Sequence, residues 1–159
     1  MAKIRKAYPY YASEEVIYER LFKVFEEIKK HAINEEKSFA METNFSSSLT
    51  DLKELIDEFK QNGYQTNIYY LGLDSIQKSN LRVAERVSNG GHSVTPGSIK
   101  YNYEKGIEYV NHCLHLFDNV SFIDNRGLKI TEIATIREAT KTILVTNPPE
   151  WFSHFVSRF

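Results

Sequence analysis

One cysteine, Cys113, stands in 159 residues, so no disulfide can close within the chain. Its place in a helix-like apolar pattern marks a buried, reduced thiol and a cytoplasmic protein. Glycines number seven and prolines four, too few for a low-complexity or collagen-like chain. Excess charge of either sign is also missing. Twenty basic residues against 21 acidic ones leave a net charge of −1, which removes any overall field toward nucleic acid or a membrane surface. No apolar run approaches the length of a membrane span. The basic start (Lys3, Arg5, Lys6) leads into tyrosines and acids, so there is no signal-peptide core. Asn44-Phe-Ser46 matches a glycosylation acceptor, which means nothing without secretion. What is present is an ordinary apolar share, 42%, and abundant aromatics, 13%. Both argue for a folded globule, and the length for one domain over residues 1–159.

The periodicities alternate between helix and strand. Ser13-Glu-Glu opens a helix with acids in its first turn, and Ile17, Leu21, Val24, Phe25 and Ile28 mark its apolar face. Ser38 to Thr43 reads as a short strand. Ser47-Ser48 with Asp51 begins a second helix, with Leu52, Leu55, Ile56 and Phe59 on its face and Asn62-Gly63 as its stop. Tyr64 to Leu73 reads as a buried strand. Asp74 with Gln77 forms a capping box for a third helix. A fourth runs from about Ser98 to Leu116 on Ile99, Tyr103, Ile107, Val110 and Leu114. Val120 to Ile123 is a strand ending at Asp124-Asn125. Leu128 to Ala134 and Thr142 to Thr146 form a hairpin with a long turn, and Pro148-Pro149 leads to a terminal helix around Trp151-Phe152. This alternation predicts right-handed crossovers and an α/β fold with a parallel sheet. There are no internal repeats or linkers.

The densest chemistry lies in Arg82-Val-Ala-Glu-Arg86-Val-Ser-Asn-Gly90-Gly91-His92. Spacing of four puts both arginines on one helix face. Gly90-Gly91 can supply the backbone angles that end a helix and turn the chain. A short arginine-bearing helix on a glycine hinge suits a mobile lid over an anionic ligand. A solvated helix face followed by an ordinary turn explains the same spacing. Tyr8–Tyr11 and Tyr69-Tyr70 could stack bases, but the charge balance speaks against nucleic acid.

Set in order, these segments resemble the zeta-toxin family of P-loop kinases. The resemblance rests on Glu42-Thr43, Asn62-Gly63-Tyr64, Tyr70-Leu-Gly-Leu-Asp74-Ser75, the Arg82–Arg86–Gly90–Gly91–His92–Val94 succession, Tyr103-Glu-Lys-Gly106 and Asp124-Asn125. It spans roughly residues 13 to 158. It implies a three-layer α/β/α P-loop-kinase-like fold, with a lid region at about 74–106 and a C-terminal antiparallel hairpin. The implied activity is ATP-dependent phosphorylation, with magnesium, of a nucleotide sugar such as UDP-N-acetylglucosamine, by a toxin held in check by an antitoxin. On that pattern Arg82 and Arg86 would clamp phosphates in the catalytic step. Glu42, Thr43 and Lys100 would contact the acceptor, and Gly90, Gly91 and His92 would form the lid hinge.

The chain departs from that family at its start. No Gly-x-x-x-x-Gly-Lys-Ser/Thr occurs, no glycine precedes Gly63 and no aspartate precedes Asp51. The phosphate cradle, its lysine, its metal-binding hydroxyl and the acidic base are therefore missing. The expectation is a truncated member, incomplete at its N-terminus and unable to bind ATP and magnesium alone. The alternative is a non-catalytic relative that binds a nucleotide sugar or a protein. The loss would leave the strands at Phe39 and Ile68 without a shared neighbour. Direct pairing, the C-terminal strands or a second chain could close that gap, and a homodimer exchanging the Val145–Phe159 segment is expected.

Overall fold

A computed structural model describes residues 14–43, 48–127 and 129–157. The basic start, Tyr8–Tyr11, Ser13, the Asn44–Ser46 sequon, Ser47, Leu128 and the last two residues lie outside the described ones. The chain forms two compact units, Met1–Glu42 and Thr43–Phe159.

In the first unit, helix α1 runs over Glu14–Asn34. Its buried positions are Lys29 and Ala32, whereas Val24 and Ile28 are exposed. The apolar face read from the sequence is therefore turned partly to solvent. Lys29 can be buried because its ammonium lies 2.8 Å from Glu26, while its methylene stem packs like a hydrocarbon. Residues 38–43 form no strand, against expectation. The apolar anchor of that stretch, Phe39, meets Phe25 of α1 edge to face, with ring centroids 5.8 Å apart. Its burial is satisfied by a helix and calls for no sheet.

The second unit holds a four-stranded sheet in the order β1-β2-β3-β4. The strands are β1 (Asn67–Gly72), β2 (Asn119–Asp124), β3 (Thr131–Arg137) and β4 (Thr140–Ile143). β1 and β2 pair in parallel over their full length, from Asn67↔Asn119 to Gly72↔Asp124. β3 and β4 add antiparallel neighbours. The parallel crossover and the C-terminal hairpin are thus both present, in one mixed sheet. β1 alternates between buried and exposed positions, with Tyr69 62% and Leu71 50% exposed, so only one of its faces joins the core. The register between β2 and β3 jumps from Phe122↔Ala134 to Ile123↔Glu132. Ile133 is thereby left as a bulge, and Ile133, Ala134 and Thr135 are buried in succession. The hairpin turn is short, contrary to the sequence reading. Arg137 pairs with Thr140 across Glu138 and Ala139, which have φ of 49° and 62°, the geometry of a two-residue turn with both φ positive.

Three longer helices accompany the sheet: α2 (Leu49–Gln61), α3 (Ile76–Ser88) and α4 (Pro96–Cys113). The Ser48 hydroxyl caps α2 by accepting the Thr50 and Asp51 N–H groups. Ser75 caps α3 by accepting from Lys78 N, one residue beyond the cap read from the sequence, because Asp74 is engaged elsewhere. Thr95 caps α4, with Pro96 in its first turn, where a missing N–H costs nothing. α2 closes with Gly63 at φ +80°. Gly63 N–H donates to Lys60 O and Tyr64 N–H to Phe59 O, at 3.0 and 3.1 Å. The Phe59 and Tyr64 rings meet 5.1 Å apart, the apolar contact that accompanies this cap. The core gathers Ile68, Val110, Leu114, Val120, Phe122 and Ile133 around Trp151, Phe152 and Phe155. The last three come from a 3-10 turn, Glu150–Phe152, and the short helix α5, Ser153–Val156. The terminal aromatic segment packs here on its own chain's sheet.

Candidate functional site

The carboxyl ends of parallel strands leave unpaired backbone groups facing a crevice, which is where α/β sheets bind ligands. Here those ends are Gly72 and Asp124, and Asn125 N–H reaches back to Gly72 O at 3.3 Å. Each strand continues into a segment bearing charge: Leu73-Asp74-Ser75 leads into α3, and Asn125-Arg126 turns away from β2.

Arg126 ties the two together. Its Nε lies 2.8 and 3.0 Å from the two Asp124 oxygens, its backbone N–H donates to Asp124 Oδ1 at 3.2 Å, and Nη1 lies 3.2 Å from Asp74 Oδ1. Asp74 also pairs with Lys78. Burial works to raise the Asp124 carboxyl, but hydrogen bonds from Arg126, its charge and the Trp151 indole outweigh it and hold the group below its ordinary range. The Tyr103 hydroxyl, brought in by α4, donates to Leu73 O at 3.2 Å. Burial and the Asp74 charge push that phenol up. Tyr70 beneath is pushed up by burial and by Tyr103.

α3 supplies the arginines. Arg82 Nη2 donates to the Asn125 backbone carbonyl, which brings the first arginine to the strand end. Arg86 is exposed one turn further along. The helix ends in the six-to-one and five-to-two hydrogen-bond pattern of a left-handed cap. Gly91 N–H donates to Arg86 O at 2.9 Å and Gly90 N–H to Val87 O at 3.0 Å. The glycines serve different purposes. Gly90 has φ +84°. A Cβ on Gly91 would lie 2.6 Å from Arg86 Cγ and 2.8 Å from its carbonyl oxygen. His92 beyond them is exposed. α3 has no buried residue, as expected of an element held by few contacts.

The other sequence candidates lie apart from this cluster or outside its unit. Lys100 is exposed on α4, its ammonium 3.9 Å from Glu104 of the same helix. Glu42 is exposed at the end of the first unit and Thr43 is half-buried at the start of the second. The structure adds Asp74, Arg126 and Trp151 to the site; in the sequence Asp74 reads only as a helix cap and part of the family segment, Trp151 only as part of the terminal helix, and Arg126 has no role. An arginine directly after a strand-ending Asp-Asn, and a lone tryptophan in a short C-terminal segment, were the available signals.

The arrangement does not fit a magnesium-bound triphosphate. The sequence carries no glycine-rich loop ending in Lys-Ser/Thr. Among the described residues no three His, Cys, Asp or Glu side chains gather as a metal site. The two carboxylates that face each other already share a guanidinium. The arrangement does suit recognition of an anion, with Arg82 and Arg126 at the strand ends and Arg86 exposed one turn further along α3.

The model of the Zeta toxin family matches residues 1–138. An uncharacterized protein of Haemophilus influenzae is 28% identical over 72 residues, 45% of this chain and 50% of that protein. The chain thus spans about half the length of this curated relative. No solved structure matches.

Proposed function

The chain belongs to the zeta toxin family, and on that premise we propose that it is the acceptor-holding part of a kinase-like toxin, binding a nucleotide sugar such as UDP-N-acetylglucosamine under an arginine-bearing lid. The observation that carries this reading is Arg82 on α3 reaching the carbonyl of Asn125 at the end of β2, with Arg86 exposed on the same helix one turn away. Two guanidiniums so spaced can grip the two phosphates of a nucleoside diphosphate sugar. Glu42, Thr43 and Lys100 remain proposed acceptor contacts. ATP and magnesium enter only through the family. Without a phosphate loop, the 159-residue chain lacks the groups that cradle a triphosphate and balance its developing charge. It therefore holds the acceptor without phosphorylating it.

Calorimetric titration of the purified chain with UDP-N-acetylglucosamine and, separately, with ATP and magnesium tests this. Heat with the sugar nucleotide, lost in Arg86→Ala, and none with ATP is the expected result. Phosphorylation of the sugar nucleotide by the chain alone would overturn the non-catalytic part. Absence of heat at millimolar sugar nucleotide would overturn the acceptor site.

A second reading, a relative that binds a protein such as an antitoxin, is supported by α1, where Phe22 is 65% exposed with Val24 and Ile28 also exposed. Phe22→Glu would abolish partner capture on that reading and leave sugar-nucleotide heat unchanged on the first.

A further inference from the structure

Arg126 is bound twice over and still within reach of solvent. Its guanidinium takes both oxygens of Asp124 and one of Asp74, yet its side chain is 37% exposed. Near Asp124 sits Trp151, 3% exposed, whose indole Nε1 is a buried donor with no hydrogen-bond partner. Leaving such a donor unpaired is costly, so it points to an arrangement in which the indole is satisfied. The indole N–H is close enough to help hold the Asp124 carboxyl down, though outside hydrogen-bond geometry. Arg126 engages Oδ1 through Nε and its backbone N–H and Oδ2 through Nε, so departure of its guanidinium would free acceptor positions on both oxygens for the indole.

We propose that Arg126 is a releasable anion-binding residue: parked on Asp74 and Asp124 in the free chain, it passes to a phosphate-bearing ligand at the ends of β1 and β2, and Trp151 Nε1–H takes its place on Asp124. The proposal rests on the ligand-binding reading above and adds a third arginine to it. The exchange leaves no carboxylate bare. Asp74 keeps Lys78, and Asp124 exchanges a guanidinium for an indole donor. Arg82 on Asn125 O is the adjacent guanidinium, so ligand phosphates would meet both at one turn. Removing one member of a buried pair is usually costly because the other is left uncompensated. Here substitute partners stand on both sides, which makes release feasible.

Trp151 is the only tryptophan, so intrinsic emission reads the exchange directly. The probe is UDP, with inorganic phosphate as the ionic control. Arg126→Ala without ligand should move the Trp151 emission toward the value that the wild type reaches at saturating UDP. It should also weaken UDP binding about tenfold, the loss of one charge-assisted contact. Asp74→Asn removes part of the parking site and should tighten UDP binding, an effect that a purely structural bridge would not produce. If Arg126→Ala melts early, Arg126→Lys must still weaken binding, since an ammonium lacks the guanidinium fork. UDP binding with unchanged emission and equal affinity in wild type, Arg126→Ala and Asp74→Asn would overturn the exchange and leave the ligand site standing. No UDP binding by the wild type would overturn the ligand reading itself.

Discussion

Gly72 lies so close against the indole of Trp151 that a Cβ at position 72 would fall among the ring carbons. The last residue of β1 is therefore a glycine because an aromatic ring occupies the side-chain position. Gly72→Ala must push Trp151 out of a core where Tyr70, Phe152 and Phe155 surround it. A loss of about 1–3 kcal/mol is expected from such overpacking. Urea denaturation measures it, and a wild-type midpoint in Gly72→Ala would show that the ring has room to move.

The opposite ends of the same strands are held by charge. The Asp118 carboxylate accepts Lys60 Nζ at 2.8 Å, Thr66 N–H at 2.7 Å and the Thr66 hydroxyl at 2.9 Å. The Lys60 hydrogen bond, followed by the backbone N–H of Thr66, lowers the carboxyl to about 2, against roughly 3.9 for an unfolded aspartate. A folded value below the unfolded one means that the stabilisation is complete above about pH 4 and is lost as pH falls toward 2. Partial exposure screens it. Denaturation midpoints of wild type and Asp118→Asn should converge as pH falls through that window. A constant gap down to pH 2 would remove Asp118 from the account.

Three helices end with a residue in the left-handed region: Glu36 at φ 50°, Gly63 at φ 80° and Gly90 at φ 84°. After α1, Lys37 N–H donates to Ala32 O at 2.8 Å and Glu36 N–H to Ile33 O at 3.2 Å, the same bonds that close α2 and α3. A side chain in that conformation costs about 1–2 kcal/mol. Glu36→Gly should therefore raise stability by roughly 1 kcal/mol and Gly90→Ala should lower it by a similar amount. Thermal melts of the two variants should shift in opposite directions; a shift of the same sign would disprove the shared cause.

The homodimer expected from the sequence has an edge on which to form. Among the described residues no strand pairs with the outer side of β1, and Tyr69 and Leu71 are half-exposed or more beside it. Unprotected edges of this kind promote strand addition. Light scattering should give a mass that rises with concentration, and Tyr69→Lys should return it to that of one chain. A single-chain mass at every concentration in the wild type would exclude association through this edge.

Helix ends were legible from sequence because their chemistry is local. Ser48, Gly63 and Gly90 each satisfy backbone groups within a few residues. The α4 face was legible for the same reason, with Ile99 and Val110 buried on it and Leu114 buried just past its end. The α1 face was not, because Lys29 can be buried through its stem and a nearby glutamate. The hairpin turn was hidden because Glu138-Ala139 carries no glycine or asparagine. In the site, Arg82 and the Gly90-Gly91 cap could be read from spacing. Arg126 and Trp151 could not, since their partners Asp74 and Gly72 lie far away in sequence and only the strand register brings them together.

Direct pairing of β1 with β2 also governs how the molecule comes into being. The whole excursion from Leu73 to Asp118, carrying α3 and α4, must be folded back before a single ladder bond between these strands can form. Closing so long a loop is entropically expensive, and parallel pairing of distant segments is slow. Asp124 is local to the turn holding Arg126, but Asp74 joins it only at that moment. Before it, the arginines lie on separate segments; after it, Arg82 and Arg126 stand at one pair of strand ends. Binding at the proposed site therefore has to wait for this pairing, and a nascent chain would lack that site until residues past Asp124 have emerged.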